Sequence, residues 1–320
     1  MENAVTNSYR AFDDAAVRSL APMTRVINAV RSAMIALERR EFDMPQRIGL
    51  GGSDVLVMPV FHRPSGTSAT KILSLDAGRT LFITGAVVST AAGDPKTLVA
   101  DAGEVTKLRT GALSGVAADL LCVAGAETMT IFGAGGQAYD QVMAVAAVRR
   151  LRRLAIVNRT AARAEALAHR LERDLPGVMI STSSSANGGL LKESDIVCCV
   201  TTAQRPLFEI DDLAPEACVL AVGSYRPDMR EVPAELLHTS GHIVVDDVRA
   251  CTAESGDVIE ALRAGHLSED DLLPLGRALQ DSPRLSGRRL FKTVGVAVQD
   301  WAVMAVLRDA DARYAGHVQT

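Results

Sequence analysis

Aromatic residues are scarce in this 320-residue chain, with Phe, Trp and Tyr making up 4% of it. A protein that stacks successive nucleobases needs aromatic platforms, so that class is disfavoured. An excess of positive charge is also missing. The 34 Lys and Arg against 38 Asp and Glu give a net charge of −4, which offers polyanions no global basic field. Apolar stretches are interrupted by Gly and polar residues before they reach the ~20 residues that span a bilayer. The first twenty residues carry acids and arginines where a secretory signal needs an unbroken apolar core. Cys122, Cys198, Cys199, Cys218 and Cys251 show no CxxC spacing, and four of them lie in apolar runs. The six histidines (62, 169, 238, 242, 266 and 317) show no HExxH pattern. These absences predict no metal, no nucleic-acid partner, no membrane and a reducing, cytoplasmic compartment.

What is present is a globular composition, 48% hydrophobic and 22% charged, long enough for two modest domains. Apolar positions at helical spacing between residues 12 and 41 (Val17, Leu20, Val26, Ile27, Val30, Met34, Ile35, Leu37) predict one or two amphipathic helices. Short strands follow, at Ile48–Gly52, Val55–Met58, Thr70–Leu75, Thr80–Thr84 and Ala86–Thr90. Turns are expected at 93–95 and 102–104, and a helix over 104–125. From Thr128 strands alternate with helices, the pattern of βαβ units and a parallel sheet. The segment Phe291–Arg308 reads as a helix that returns to the N-terminal region. The resulting division is 1–125 plus 291–320, and 126–290.

The strand at Thr128–Phe132 runs into Gly133-x-Gly135-x-x-Ala138, which opens a helix. Gly133 permits the tight turn, Gly135 lets backbone approach a pyrophosphate, and Ala138 keeps the helix close to the sheet. Gly136 and Gln137 complete the turn, and the helix start attracts phosphate. The next strand ends in Asn158-Arg159-Thr160, where a site for NAD usually holds a carboxylate. Arg159 can pair with a 2′-phosphate that a carboxylate would repel, so NADP(H) is expected over NAD(H). Thr201 and Thr202, at the end of the Asp195–Thr202 segment, either border the cofactor or cap the next turn. This is the pattern of a Rossmann-type, doubly wound α/β fold beside a second α+β domain.

The chain resembles the ornithine cyclodeaminase/mu-crystallin family over nearly its whole length. The resemblance rests on Pro45-Gln-Arg47, Met58-Pro59, Lys71 and Glu104-Val-Thr-Lys-Leu-Arg109-Thr110-Gly-Ala. It continues in the glycine turn, Gly223-Ser-Tyr-Arg-Pro-Asp-Met-Arg-Glu231, Glu254-Ser-Gly-Asp257 and Phe291-Lys-Thr-Val-Gly-Val-Ala-Val-Gln-Asp300. It implies a homodimer whose discontinuous domain forms the dimer, and enzymes that act on amino or imino acids with a nicotinamide dinucleotide. Arg47, Lys71 and Arg109 match the family's clamp for the substrate carboxylate, while Thr110 and Gly223 join the expected cofactor site. Ornithine cyclodeaminases carry an aspartate for proton handling where this chain, aligned on Pro227, has Tyr225. Asp228 lies three positions on and does not inherit that role.

The resemblance therefore implies a reductase of cyclic imino acids, with pyrroline-2-carboxylate or piperideine-2-carboxylate reduced to proline or pipecolate. Tyr225, Lys71 or water would manage the proton. Within the family the alternatives are an ornithine or lysine cyclodeaminase with bound NAD and an open-chain amino-acid dehydrogenase. Outside catalysis, a crystallin-like protein that only binds NADPH or a ligand is the rival.

Overall fold

In the computed structural model the chain divides into Met1–Arg109 with Val296–Thr320, and Thr110–Gly295. The structure describes residues 8–51, 54–75, 83–186, 188–240, 242–283 and 286–317. Gly52 of the strand expected from Ile48, and residues 80–82 of the strand expected at 80–84, lie outside them.

In the first unit β1 (Ser8–Phe12) precedes α1 (Asp14–Leu20) and α2 (Met23–Glu38). Asp13 caps α1 by accepting from the Ala16 N–H at 2.8 Å. Next come β2 (Phe42–Asp43), β3 (Ile48–Leu50), β4 (Val55–His62), β5 (Thr67–Leu75), β6 (Ile83–Ala91) and β7 (Asp94–Asp101). They form one sheet in the order β1-β7-β6-β5-β4-β2, with β3 also on β4; β1 joins β7 in parallel and the other pairs are antiparallel. Alternation assigns the faces. Leu56, Met58, Val60, Ala69, Lys71, Leu73 and Val87 are buried, and the C-terminal helix Ala297–His317 packs on α2, β4 and β5.

The turn expected at 93–95 holds only at Gly93, and the one expected at 102–104 is helix. Asp94 and Pro95 begin β7, because the missing N–H of Pro95 falls outside the ladder with β1, which starts at Lys96. Residues 102–104 are the first turn of α3 (Ala102–Leu121), which Asp101 caps by accepting from the Glu104 N–H at 2.7 Å.

The second unit holds β8 (Thr128–Phe132), α4 (Ala138–Ala146), β9 (Arg153–Val157), α5 (Ala161–Asp174), β10 (Met179–Ser183), α6 (Gly188–Lys192) and β11 (Ile196–Cys199). It continues with β12 (Cys218–Ala221), α7 (Ala234–Thr239), β13 (His242–Val245), α8 (Val248–Glu254), α9 (Gly256–Arg263), β14 (Leu272–Pro274), α10 (Leu275–Asp281) and β15 (Arg289–Lys292). The sheet is parallel throughout, in the order β10-β9-β8-β11-β12-β15-β13-β14. Every residue of β11, β12 and β15 is buried, as a sheet covered on both faces requires. Strand order reverses between β8 and β11, the switch point at which this doubly wound, Rossmann-type architecture opens a crevice beyond the strand ends.

The units meet in sequence at Arg109/Thr110 and Gly295/Val296, whereas the sequence reading divided the chain at 125/126 and 290/291. The change of composition at Thr128 marks the next strand, but packing changes earlier, within α3. Gly111 lies so close to α4 that a Cβ there would sit 2.5 Å from the Asp140 carbonyl oxygen. At the other end Phe291 and Lys292 are not helical; they belong to β15, between β12 and β13.

Candidate functional site

The phosphate-loop candidates of the second unit are built from the turn between β8 and α4. Gly133 has φ +103°, and a Cβ there would lie 2.6 Å from the Val200 carbonyl oxygen, so only glycine fits. Its N–H donates to the Val157 carbonyl at 2.9 Å, and the Ala134 N–H donates to Asn158 Oδ1 at 3.1 Å. Asn158 Nδ2 in turn donates to the Thr160 carbonyl at 2.8 Å. The Asn158 amide thus fixes the glycine turn against the end of β9. Gly135 and Gly136 are exposed, and a Cβ at either would meet nothing within 4 Å. Packing of the chain does not demand glycine there, which suits a turn kept bare for a ligand's phosphates. Gln137 precedes α4 and makes no side-chain cap hydrogen bond to it. Arg159, Thr160 and Thr202 are exposed, and Thr110 is buried on α3.

Beyond the ends of β11, β12 and β15 lies a buried charge network. Glu231 takes four donors: the Thr201 N–H (2.6 Å) and hydroxyl (2.8 Å) on Oε1, and the Gly223 (2.6 Å) and Ser224 (3.1 Å) N–H groups on Oε2. One carboxylate thereby joins the loops after two strands. Burial pushes its pKa up, while the charge of Lys292 and the Thr201 hydrogen bonds pull it back. Lys292 Nζ donates to Ser224 Oγ at 2.7 Å and to the Ala221 carbonyl at 3.2 Å, and lies 3.8 Å from Asp257 Oδ2. The Ser224 hydroxyl donates to Asp257, whose other oxygen accepts from the Glu231 N–H at 2.9 Å. Tyr225 is half-buried with its ring against the hydrophobic core of this unit. Asp228 is exposed and paired with Arg226 at 2.9 Å, which holds its carboxyl below the usual range.

The first unit brings the three expected cations together. Lys71 projects from the apolar, buried face of β5 and donates to Asp300 Oδ1 at 2.8 Å and more weakly to Thr106 Oγ1 at 3.4 Å. Arg109 Nε lies 3.5 Å from the same Asp300 oxygen, and Arg109 Nη1 donates to Gln299 Oε1 at 2.7 Å. Lys71 is lowered to about 8, chiefly by burial, with Arg109 and Arg47 adding to the shift and Asp300 opposing it. Arg47 is half-buried, close enough for its charge to act on Lys71. This is a buried cationic cluster with Asp300 as an internal counter-ion, a set of donors suited to a small carboxylate ligand.

Sequence reasoning assigned no role to Asp300, Gln299, Thr106, Glu231, Asp257 or Lys292. All six stood inside the quoted motifs, and the usable signal was a charged residue within an otherwise apolar stretch, as at Lys292 and Asp300. His62 has Nδ1 2.8 Å from Ser65 Oγ and its ring against those of Phe42 and Trp301.

Replacing Lys292 with Met leaves Glu231 and Asp257 buried without their cation, and it should cost about 3–5 kcal/mol in urea unfolding. Glu231 is raised in the folded protein, so its protonated form favours folding. The loss in Lys292→Met should accordingly grow as pH rises from 5 to 8; a loss independent of pH would contradict this account.

The profile of the ornithine cyclodeaminase/mu-crystallin family matches residues 12–313. A Δ1-pyrroline-2-carboxylate reductase of Bacillus cereus is 33% identical over 224 residues, 67% of this chain and 66% of that protein. The match thus spans slightly under two thirds of that relative's length. The mouse ketimine reductase mu-crystallin is 28% identical over 79% of both chains. Among solved structures, the Thermococcus litoralis Δ1-pyrroline-2-carboxylate reductase in complex with NADH and L-proline superposes with a TM-score of 0.88 at 25% identity, covering 95% of this chain and 98% of that one. By profile, sequence and fold alike, this chain belongs to the ornithine cyclodeaminase/mu-crystallin family.

Proposed function

We propose that the chain is an NAD(P)H-dependent reductase of cyclic 2-imino acids such as pyrroline-2-carboxylate and piperideine-2-carboxylate. The observation that carries this reading is the assembly of Lys71 and Arg109 on the carboxylate of Asp300, with Arg47 close enough for its charge to act on Lys71. Arg109 and Arg47 bind the substrate carboxylate, since guanidinium groups match its two oxygens. Lys71 stands beside them with an ammonium for the ring nitrogen. Burial of this cluster strengthens each of these interactions. The dinucleotide, when bound, supplies the hydride that the imine carbon receives. The proton relay of a cyclodeaminase lacks its carboxylate, because Tyr225 stands in that place with its ring against the core.

The bare turn at Gly135 and Gly136 and the uncapped start of α4 fit a dinucleotide pyrophosphate. Arg159 favours NADPH: it is exposed at the end of β9, and the first turn of α5 holds no acid to repel a 2′-phosphate. A homodimer is also part of the reading. The outer face of β3–β6 pairs Ile48, Val57, Ile72 and Ala86 in one row and Leu50, Val55, Ser74 and Thr84 in the next. Ile48, Leu50 and Ile72 are each about half exposed (50%, 51% and 47%) and no residue of either row is charged. A second copy offers the same uncharged face, as an isologous contact requires.

Absorbance of the reduced nicotinamide, followed with each imino acid, tests the activity, and substrate-dependent oxidation is the expected outcome. Ammonia released from ornithine or lysine without net oxidation would overturn the reading in favour of cyclodeamination. Arg159→Ala should raise the KM for NADPH about 10- to 100-fold and leave that for NADH nearly unchanged, the loss of one charge-assisted contact. In light scattering after gel filtration, Ile72→Lys should shift the chain from dimer toward monomer; an unchanged mass would remove this face from the interface.

A further inference from the structure

We propose that Asp300 is the positioning residue for proton delivery, holding Lys71 as an ammonium whose remaining N–H bond goes to the ring nitrogen of the imino acid. The inference rests on the reductase reading above. In the step itself the C=N carbon gains a hydride and the nitrogen gains a proton, giving CH–NH. The reduced nicotinamide is oxidised by two electrons, and Lys71 passes from ammonium to amine before water reprotonates it.

Four elements meet at Lys71. β5 carries it; α3 presents Thr106 and Arg109; the C-terminal helix presents Gln299 and Asp300; and the segment after β2 brings Arg47. Among the described residues the charged groups that act on it are thus two guanidinium cations and one carboxylate. Both cations and burial work to strip the proton from Lys71, and among the described residues it is Asp300 that opposes them. Its Oδ1 serves both Lys71, at 2.8 Å, and Arg109 Nε, at 3.5 Å. An ammonium has three N–H bonds, and among the described residues Asp300 and Thr106 take two. The balance leaves Lys71 at about 8, charged at neutral pH yet near enough to it to release a proton readily.

A further feature separates this pair from a structural ion pair. Asp300 Oδ2 is buried and has no hydrogen-bond partner among the described residues. Buried carboxylates that serve only the fold normally satisfy both oxygens. An open acceptor beside a proton donor suits a site completed by a ligand whose nitrogen becomes N–H during the reaction.

The test uses Asp300→Asn, which keeps the shape and removes the charge, with Asp300→Glu as the conservative partner. The chain has five lysines, of which Lys71 and Lys292 are buried, so NMR of 13Cε-labelled lysine resolves Lys71 without reference to activity. In the wild type its resonance should titrate near pH 8, and in Asp300→Asn about one unit or more lower. The alkaline limb of kcat for pyrroline-2-carboxylate should move down with it, and kcat at pH 7.5 should fall at least about threefold. Asp300→Glu should recover part of both. An Asn variant that folds, keeps the wild-type Lys71 titration and keeps the alkaline limb in place overturns the proposal. If Asp300→Asn fails to fold, an Asp300→Glu chain with both quantities at wild-type values and wild-type kcat does the same. A wild type inactive on both imino acids removes the proton-delivery role together with the reductase reading, and the Lys71 titration then reports whether the coupling to Asp300 itself is real.

Discussion

Burying an ammonium in the apolar face of a sheet is the constraint on which the candidate site depends. Lys71 lies between Ala69 and Leu73 in a row of inward side chains, where an uncompensated charge would cost several kcal/mol. Asp300 makes that position tenable, and the C-terminal helix must return to the first unit to place Asp300 there. The discontinuity of this unit is therefore a requirement of its chemistry. A chain ending before residue 296 would lack the only carboxylate at 2.8 Å from Lys71 among the described residues.

The second unit solves a related problem with opposite charges. Two carboxylates, Glu231 and Asp257, are buried beyond the ends of parallel strands and are matched by Lys292 and by backbone N–H groups. Loops at these strand ends cannot use the ladder to satisfy their N–H groups, so a buried carboxylate takes over that function. The consequence is that the turns after β11 and β12 are held in one geometry before any ligand arrives. Such prior organisation keeps the ordering of loops from offsetting binding energy.

The chain shares its family with reductases of cyclic imines, and its departure at Tyr225 has a definite chemical sense. A carboxylate accepts protons from substrate amines; a tyrosine packed on a hydrophobic core does not replace it. On the reductase reading proposed above, the proton donor is Lys71, held by Asp300 within the first unit.

Much of this was legible in the residues. Periodicity separated the antiparallel and parallel regions, because side-chain alternation and βαβ spacing are local consequences of backbone geometry. The glycine turn was legible for the same reason: a positive φ at Gly133 demands glycine wherever the turn occurs. Arg47, Lys71 and Arg109 could be named from their motifs, though not the reason they can coexist. Partnership was beyond the sequence: Lys71 and Asp300 are separated by 229 positions, and Lys292 and Ser224 by 68. The extent of the units was equally hidden, since α3 runs unbroken past the point where its packing changes. By itself the sequence determined the elements, the dinucleotide-type turn and the identity of the cations. Only the tertiary structure decided which charges neutralise one another, because charge compensation acts through space and burial, and neither is written in the order of residues.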